Sequence, residues 1–189
     1  LAMTACFVFT SSAKAQRNEV LSPNIASLQV TADDKWLQMP IMQLGSGSVT
    51  NIAFDDLTHE YHRYAYKLEH CEADWTVSDQ LFTSDYCKGF ADGNTIDDME
   101  ESINTSVQYT HYRLQIPNDR CEPTISGNYR LTVYDDNTQD TVFKACFMIV
   151  EQQTAVALGV TTNTDIDINR SHQQVSMKLG YGAIAVRDQ

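Results

Sequence analysis

Residues 50–76 read TNIAFDDLTHEYHRYAYKLEHCEADWT. From 62 to 70, His62, Tyr64, Tyr66, Leu68 and His70 fall on one face, and Arg63, Ala65, Lys67 and Glu69 on the other. A repeat of two is the side-chain period of a β-strand, with one set toward the core and one toward water. Ile52 and Phe54 alternate in the same way ahead of an acidic turn at Asp55 and Asp56. Moving outward, Thr110, Tyr112, Leu114 and Ile116 alternate up to a turn signal at Pro117–Asn118. Gly127–Asn128 opens a further strand, with Tyr129, Leu131 and Val133 on one face. After a polar turn at 135–140, Phe143, Ala145, Phe147 and Ile149 share the core face of residues 141–150. Toward the start, residues 25–30 predict a first strand. Leu37, Met39 and Ile41 predict an edge strand, because Pro40 cannot donate to a ladder. GSGS at 45–48 is a turn. No apolar periodicity of helical length competes. Seven short strands around one core predict an all-β fold, an immunoglobulin-like β-sandwich over residues 16–153.

The connection over residues 76–101 is acidic and irregular, with Gly89 and Gly93. A short helix is expected near 95–101. A connection this long points to a functional or partner-binding loop. The polar EQQT at 151–154 marks a boundary. Beyond it, Asn163, Asp165, Asp167 and Asn169 alternate with Thr164, Ile166 and Ile168, and Val175, Met177 and Leu179 alternate later. Residues 154–189 therefore read as the truncated start of a second β-domain, too short to build its own core.

Residues 1–15, LAMTACFVFTSSAKA, read as the remnant of a signal peptide, cleaved between Ala15 and Gln16 after a small-x-small pattern. Its apolar run is far shorter than a membrane span. Export is the expectation. With 13 Lys+Arg against 25 Asp+Glu, the net charge is −12. Phosphate backbones need clustered cations, which are missing, so nucleic acid is excluded as a partner. Anionic lipid headgroups repel the same surface. Five cysteines are present. Cys6 lies in the leader, and Cys71, Cys87, Cys121 and Cys146 permit disulfides after export. Four cysteines allow three pairings, and sequence does not choose among them. No CxxC spacing supports a structural zinc site.

Each candidate for chemistry has a plainer reading. His70 and Cys71 are adjacent in a strand, so they point to opposite faces and cannot share a proton as a Cys–His dyad must. His59 and His62 flank Glu60 at a spacing that suits a metal on a helix, but the strand pattern separates them. Three acid clusters offer oxygens to calcium: Asp97, Asp98, Glu100 and Glu101; Asp135, Asp136 and Asp140; and the 163–169 face. None matches an EF-hand loop, and solvated turns are the plainer reading. No GxSxG, HExxH, P-loop or dinucleotide fingerprint occurs, so the reading is of a non-enzyme without metal or cofactor. Tyr64, Tyr66, Trp75, Tyr109, Tyr112 and Tyr129 have the makings of a carbohydrate platform, but at strand spacing they fit a core better.

Several words of this sequence, in order, resemble the plug proteins of the type IX secretion system of Bacteroidota. They are FDDL at 54–57, YAYKLEHCEADW at 64–75, SDYCKGF at 84–90, NTSVQYTHYRLQIPN at 104–118, and SGNYRLTVY at 126–134. Residues 162–182 look like the start of the family's next domain. The family pattern falls on Tyr64, Tyr66, His70, Cys71, Asp74, Trp75, Tyr112, Gly127 and Tyr129, all read as structural. Cys87, Cys121 and Cys146 depart from it. The resemblance implies a non-enzymatic periplasmic subunit, associated with the outer membrane but not inserted in it. Its partner would be the giant outer-membrane β-barrel translocon, whose wide lumen it closes. Residues 76–101 are then the candidate docking segment. The alternative is a periplasmic or surface module that binds glycan or peptide on the same sandwich, since fold alone does not separate the two.

Overall fold

The computed structural model describes residues 18–182; the expected leader and its Ala15–Gln16 cleavage site lie outside them. In chain order the elements are β1 (Glu19–Val20), β2 (Ile25–Ala32), β3 (Ile41–Gln43), β4 (Thr50–Asp56), β5 (Tyr64–Cys71), α1 (Thr83–Tyr86), β6 (Cys87–Gly89), β7 (Asp92–Thr95), β8 (Asp98–Glu101), β9 (Thr110–Ile116), β10 (Cys121–Pro123), β11 (Gly127–Asp135), β12 (Thr141–Val150), β13 (Ala155–Thr161) and β14 (Gln174–Gly180). The chain divides into two compact units at Val150/Glu151.

The first unit is an all-β sandwich. One sheet has the order β1-β12-β11-β5-β7, with β3 added in parallel beside β12; the other is β2-β4-β9-β8. The strands with the clearest alternation form the two inner layers. Ile52 and Phe54 of β4, Tyr112, Leu114 and Ile116 of β9, Tyr66 and Leu68 of β5, Tyr129, Leu131 and Val133 of β11, and Phe143, Phe147 and Ile149 of β12 are all buried in one cluster. Phe54 is its hub. Its ring stacks on Tyr112 of its own sheet at 5.1 Å. Edge contacts reach Tyr64 at 5.5 Å and Phe143 at 4.8 Å in the facing sheet. Such aromatic pairs add to plain area burial.

The outer rim of β12 is covered piecemeal. Glu19 and Val20 pair with Lys144 and Phe143. Ile41, Met42 and Gln43 pair with Met148, Ile149 and Val150. Between the two pieces, the Asn18 side-chain oxygen accepts the Cys146 amide at 2.9 Å.

Four expectations need correction. Among the described residues the first unit has twelve strands, not seven, ten in the two sheets and two in the β6–β10 ribbon; the five unexpected ones, β1, β6, β7, β8 and β10, are two to four residues long, too short for an alternation to register. The edge strand is phased differently: Met42 is buried and Ile41 faces out, while Trp36, Leu37 and Met39 are exposed ahead of it. Residues 95–101 are not helical. β7 pairs with β5 and β8 with β9, and cross-strand partners override the helix propensity of Met99, Glu100 and Glu101. The only helical turn among the described residues is α1, where the Asp85 carboxylate accepts the Phe82 amide at 2.9 Å. Finally, residues 163–169 are not a strand. They form the loop between β13 and β14, closed by the Thr164 hydroxyl on the Asp167 carbonyl at 2.8 Å. Turn-forming Thr, Asn and Asp win over a polar alternation that has nothing to bury.

The β6–β10 ribbon depends on one glycine. Gly89 has φ +95, and a Cβ there would collide with the Arg120 carbonyl oxygen across the ribbon. Gly89→Ala is expected to destabilise the sandwich by roughly 1–3 kcal/mol through backbone strain alone. Chemical denaturation measures this; a neutral result would mean that the backbone at residue 89 relaxes out of the left-handed region without cost.

The second unit, from residue 151, contains the β13–β14 hairpin. Val156 faces Leu179, Leu158 faces Met177, and Val160 faces Val175. All six are exposed and share one face of the hairpin.

Candidate functional site

The strongest polar feature lies inside the sandwich. The inward parity of Thr50, Ile52 and Phe54 along β4 carries on to Asp56, which is fully buried. Its Oδ1 accepts the Thr58 amide at 2.9 Å and the Thr58 hydroxyl at 2.8 Å. Its Oδ2 accepts His62 Nδ1 at 2.7 Å and the Tyr64 hydroxyl at 2.8 Å. Burial pushes the Asp56 pKa up, but the bonds from Thr58, Tyr64 and His62 together outweigh it and hold the carboxyl below its ordinary value. The Tyr64 hydroxyl is pushed well above its usual range, first by burial and then by Asp56. The Tyr112 hydroxyl completes the knot by donating to the His62 carbonyl at 3.0 Å. The turn at 57–63 is thereby fastened to both sheets. The signal for this site was present in the alternation of β4, which places Asp56 on the buried face; reading Asp55 and Asp56 as an acidic turn missed it.

The nine family-pattern residues fall into two groups. Tyr64, Tyr66, Tyr112 and Tyr129 are buried in the core. Tyr66 receives a hydrogen bond from Asn118 Nδ2 at 3.0 Å, and burial pushes its pKa up to about 12. Tyr129 donates to the Ile125 carbonyl at 2.9 Å and stacks on Phe147. These rings are therefore not available as a carbohydrate platform; Trp75 and Tyr109 are half-buried. The other group gathers at one end of β5. Asp74 Oδ1 accepts the Thr76 amide at 3.1 Å and hydroxyl at 2.6 Å, and Trp75 sits in the left-handed region at φ +66. His70 packs edge-on to Tyr129 at 5.2 Å. Gly127 lies against it, and a Cβ there would run into His70 Nε2.

His70 and Cys71 do not form a dyad. The Ser78 hydroxyl donates its proton to Glu72 at 2.5 Å, so His70 Nδ1 is the donor to Ser78 Oγ at 2.8 Å. Cys71 is buried, and burial pushes its thiol up to about 11, so it stays protonated at neutral pH. His62 is committed to Asp56, and His59 Nδ1 is buried without a hydrogen-bond partner. The acid clusters are engaged in pairs and turns. Asp97 meets Arg120 at 2.8 Å, and Arg113 lies between Asp98 at 3.4 Å and Glu100 at 3.2 Å. Asp136 meets Arg63 at 3.1 Å, and Asp135 accepts the Asn137 amide at 2.8 Å. Among the described residues, no group of three or more His, Cys, Asp or Glu is arranged to hold a metal.

Residues 76–101 are not the irregular excursion that their composition predicts. They contribute α1, β6, β7 and β8, whose strands pair with β10, β5 and β9. Tyr86 donates to the Leu68 carbonyl at 3.1 Å, and Asn94 Nδ2 to the Phe90 carbonyl at 2.6 Å. Two large apolar rings in this segment nevertheless face water: Phe82 is 77% exposed and Phe90 72%. On the outer face of the second sheet, a shallow groove of about 530 Å³ is lined by Gln29, Asn51, Asp97, Asp98 and Arg113, among others.

The comparisons agree with this architecture. The family described as type 9 secretion system plug protein 1st domain matches residues 25–151. A crystal structure of a hypothetical protein from Parabacteroides merdae ATCC 43184 is similar, with 42% sequence identity and a TM-score of 0.77. That match covers 91% of this chain and 43% of the Parabacteroides chain, so this chain corresponds to under half of its relative. No curated protein matches. The chain belongs to the type 9 secretion system plug protein family, and residues 25–151 are its first domain.

Proposed function

We propose that the protein is an exported periplasmic subunit that closes the outer-membrane β-barrel translocon of the type IX system when the conduit is idle, and that it turns over no substrate. The observation that carries this reading is the family match across residues 25–151. The structure adds physical support. A stopper must be stiff, and here two sheets are joined by the Phe54 ring cluster and the Asp56 knot. Cys71 is a buried, protonated thiol, which is consistent with a non-enzymatic role.

For the docking surface we propose the 76–101 segment, since Phe82 and Phe90 offer apolar contacts on a well-anchored support. Deleting the gene is expected to make the outer membrane several-fold more permeable to a large, normally excluded solute. A tagged protein should recover the translocon from detergent-solubilised outer membranes. Phe82→Asp with Phe90→Asp should lose that recovery while keeping the native melting temperature. Unchanged permeability after deletion would overturn the stopper role. Undiminished recovery by the double variant would move the docking surface elsewhere. Glycan or peptide binding in the groove beside Asn51 and Arg113, without translocon recovery, would instead establish a binding module.

We further propose that residues 154–189 begin a second β-domain. The bare apolar face of the β13–β14 hairpin and the greater length of the Parabacteroides relative both support this.

A further inference from the structure

The Cys87 and Cys121 thiols meet in the core, with their sulfurs 3.2 Å apart. Both side chains are buried, at 4% and 0% exposure. Cys87 pairs with Pro123, Lys88 with Glu122 and Gly89 with Cys121, so the two cysteines are diagonal neighbours on one face of the β6–β10 ribbon. Gly89 makes the approach close. Lacking a Cβ, it lets the Arg120 carbonyl accept the Phe90 amide at 2.8 Å, which draws β10 onto β6. The sulfurs need to close by only about 1 Å to reach bonding distance. The other two cysteines offer no such option to each other. Cys71 pairs with Asn128 and Cys146 with Arg130, on opposite sides of β11, which separates their strands by about 10 Å.

We propose that Cys87 and Cys121 form a disulfide when the exported chain folds in an oxidising compartment, closing residues 87–121 into a covalent loop. The pair loses two protons and two electrons to a disulfide-bearing oxidant, which leaves as two thiols. One S–S bond forms in the protein as one breaks in the oxidant. The oxidant meets the thiols before the core closes, because the folded chain shields both. Burial, reinforced by the neighbouring Cys87, raises the Cys121 pKa and keeps it a thiol, so the folded reduced protein oxidises slowly. The loop contains β7 of one sheet and β8 and β9 of the other, so the bond tethers segments of both sheets. This inference rests on export, which decides where the oxidant is met, and is independent of translocon docking.

The test uses the full chain, unfolded under reducing conditions and refolded in mixed reduced and oxidised glutathione, beside a sample kept reduced. Alkylation under denaturing conditions should count two fewer free thiols after oxidative refolding. A non-reducing peptide map should join the peptides carrying Cys87 and Cys121. The oxidised form should melt higher by roughly 5–10 °C. Cys87→Ser with Cys121→Ser should abolish the redox-dependent difference in melting temperature. Full alkylation of every cysteine after oxidative refolding overturns the proposal. So does a map that joins Cys71 or Cys146 to any partner in place of this pair. The map is read on the unaltered chain, so it decides the matter even where the double variant does not fold.

Discussion

Phe54→Ala is expected to lower the unfolding free energy of the sandwich by about 3–5 kcal/mol. This is a large share of the roughly 5–15 kcal/mol that holds a typical domain together. The ring is fully buried and touches three others, two of them in the facing sheet. Removing it leaves a cavity that rigid aromatic neighbours cannot collapse to fill, and costs the contacts between the layers as well as the transfer term. Phe54→Leu should recover a good part of the loss. Urea denaturation measures both. A loss below about 1 kcal/mol for the alanine variant would show that the rings rearrange freely and that the hub carries little.

Asp56→Ala is expected to cost about 3 kcal/mol, because four hydrogen-bond donors lose a charged acceptor inside the fold. Asp56→Asn keeps a carbonyl oxygen for Thr58 and should cost less. The same carboxylate makes stability depend on pH in a defined sense. Its folded pKa lies below the unfolded value of 3.8. Its contribution is therefore complete above the unfolded value, and is lost as pH falls through the lower folded one. Glu69 acts in the same direction. Burial raises its pKa, but Lys67 and Arg130 outweigh this and bring it below normal. Wild type and Asp56→Ala should thus differ most at neutral pH and converge in acid. Denaturation midpoints across that range test this, and a gap that stays constant into strong acid would contradict the assignment.

How much of this was legible depended on strand length and on burial. β4, β5, β9, β11 and β12 each run for seven to ten residues with large apolar groups at every second position, and their inward faces follow directly from the sequence. The short strands β6, β7, β8 and β10 carry no alternation of their own. They are strands because longer neighbours offer them a hydrogen-bonding edge, or because, like β6 and β10, they pair with each other although β7, β8 and β9 lie between them in the chain. Asp98 to Glu101 reads as helical from its acids and Met99, yet every residue of β8 has a partner in β9. The Asp56 knot was half legible. Parity placed the carboxylate inside, but its partners reach it through the bend at 57–63, which no local pattern announces. Tyr64, Tyr66, Tyr112 and Tyr129 lie in the core at the strand spacing read from the sequence, whereas the outward-facing Phe82 and Phe90 became notable only once their exposure was known.

The patchwork along the outer rim of β12 bears on how the protein survives at high concentration. A ten-residue strand left bare would offer its amides as a template for another polypeptide, the usual route to edge-to-edge aggregation. Here the row is closed at Val142 by Leu21, at Lys144 by Glu19, at Cys146 by Asn18, at Met148 by Pro40 and at Val150 by Leu44. The most apolar strand of the sheet is thus sealed by its own leading segment, and sister molecules find no template there to add onto.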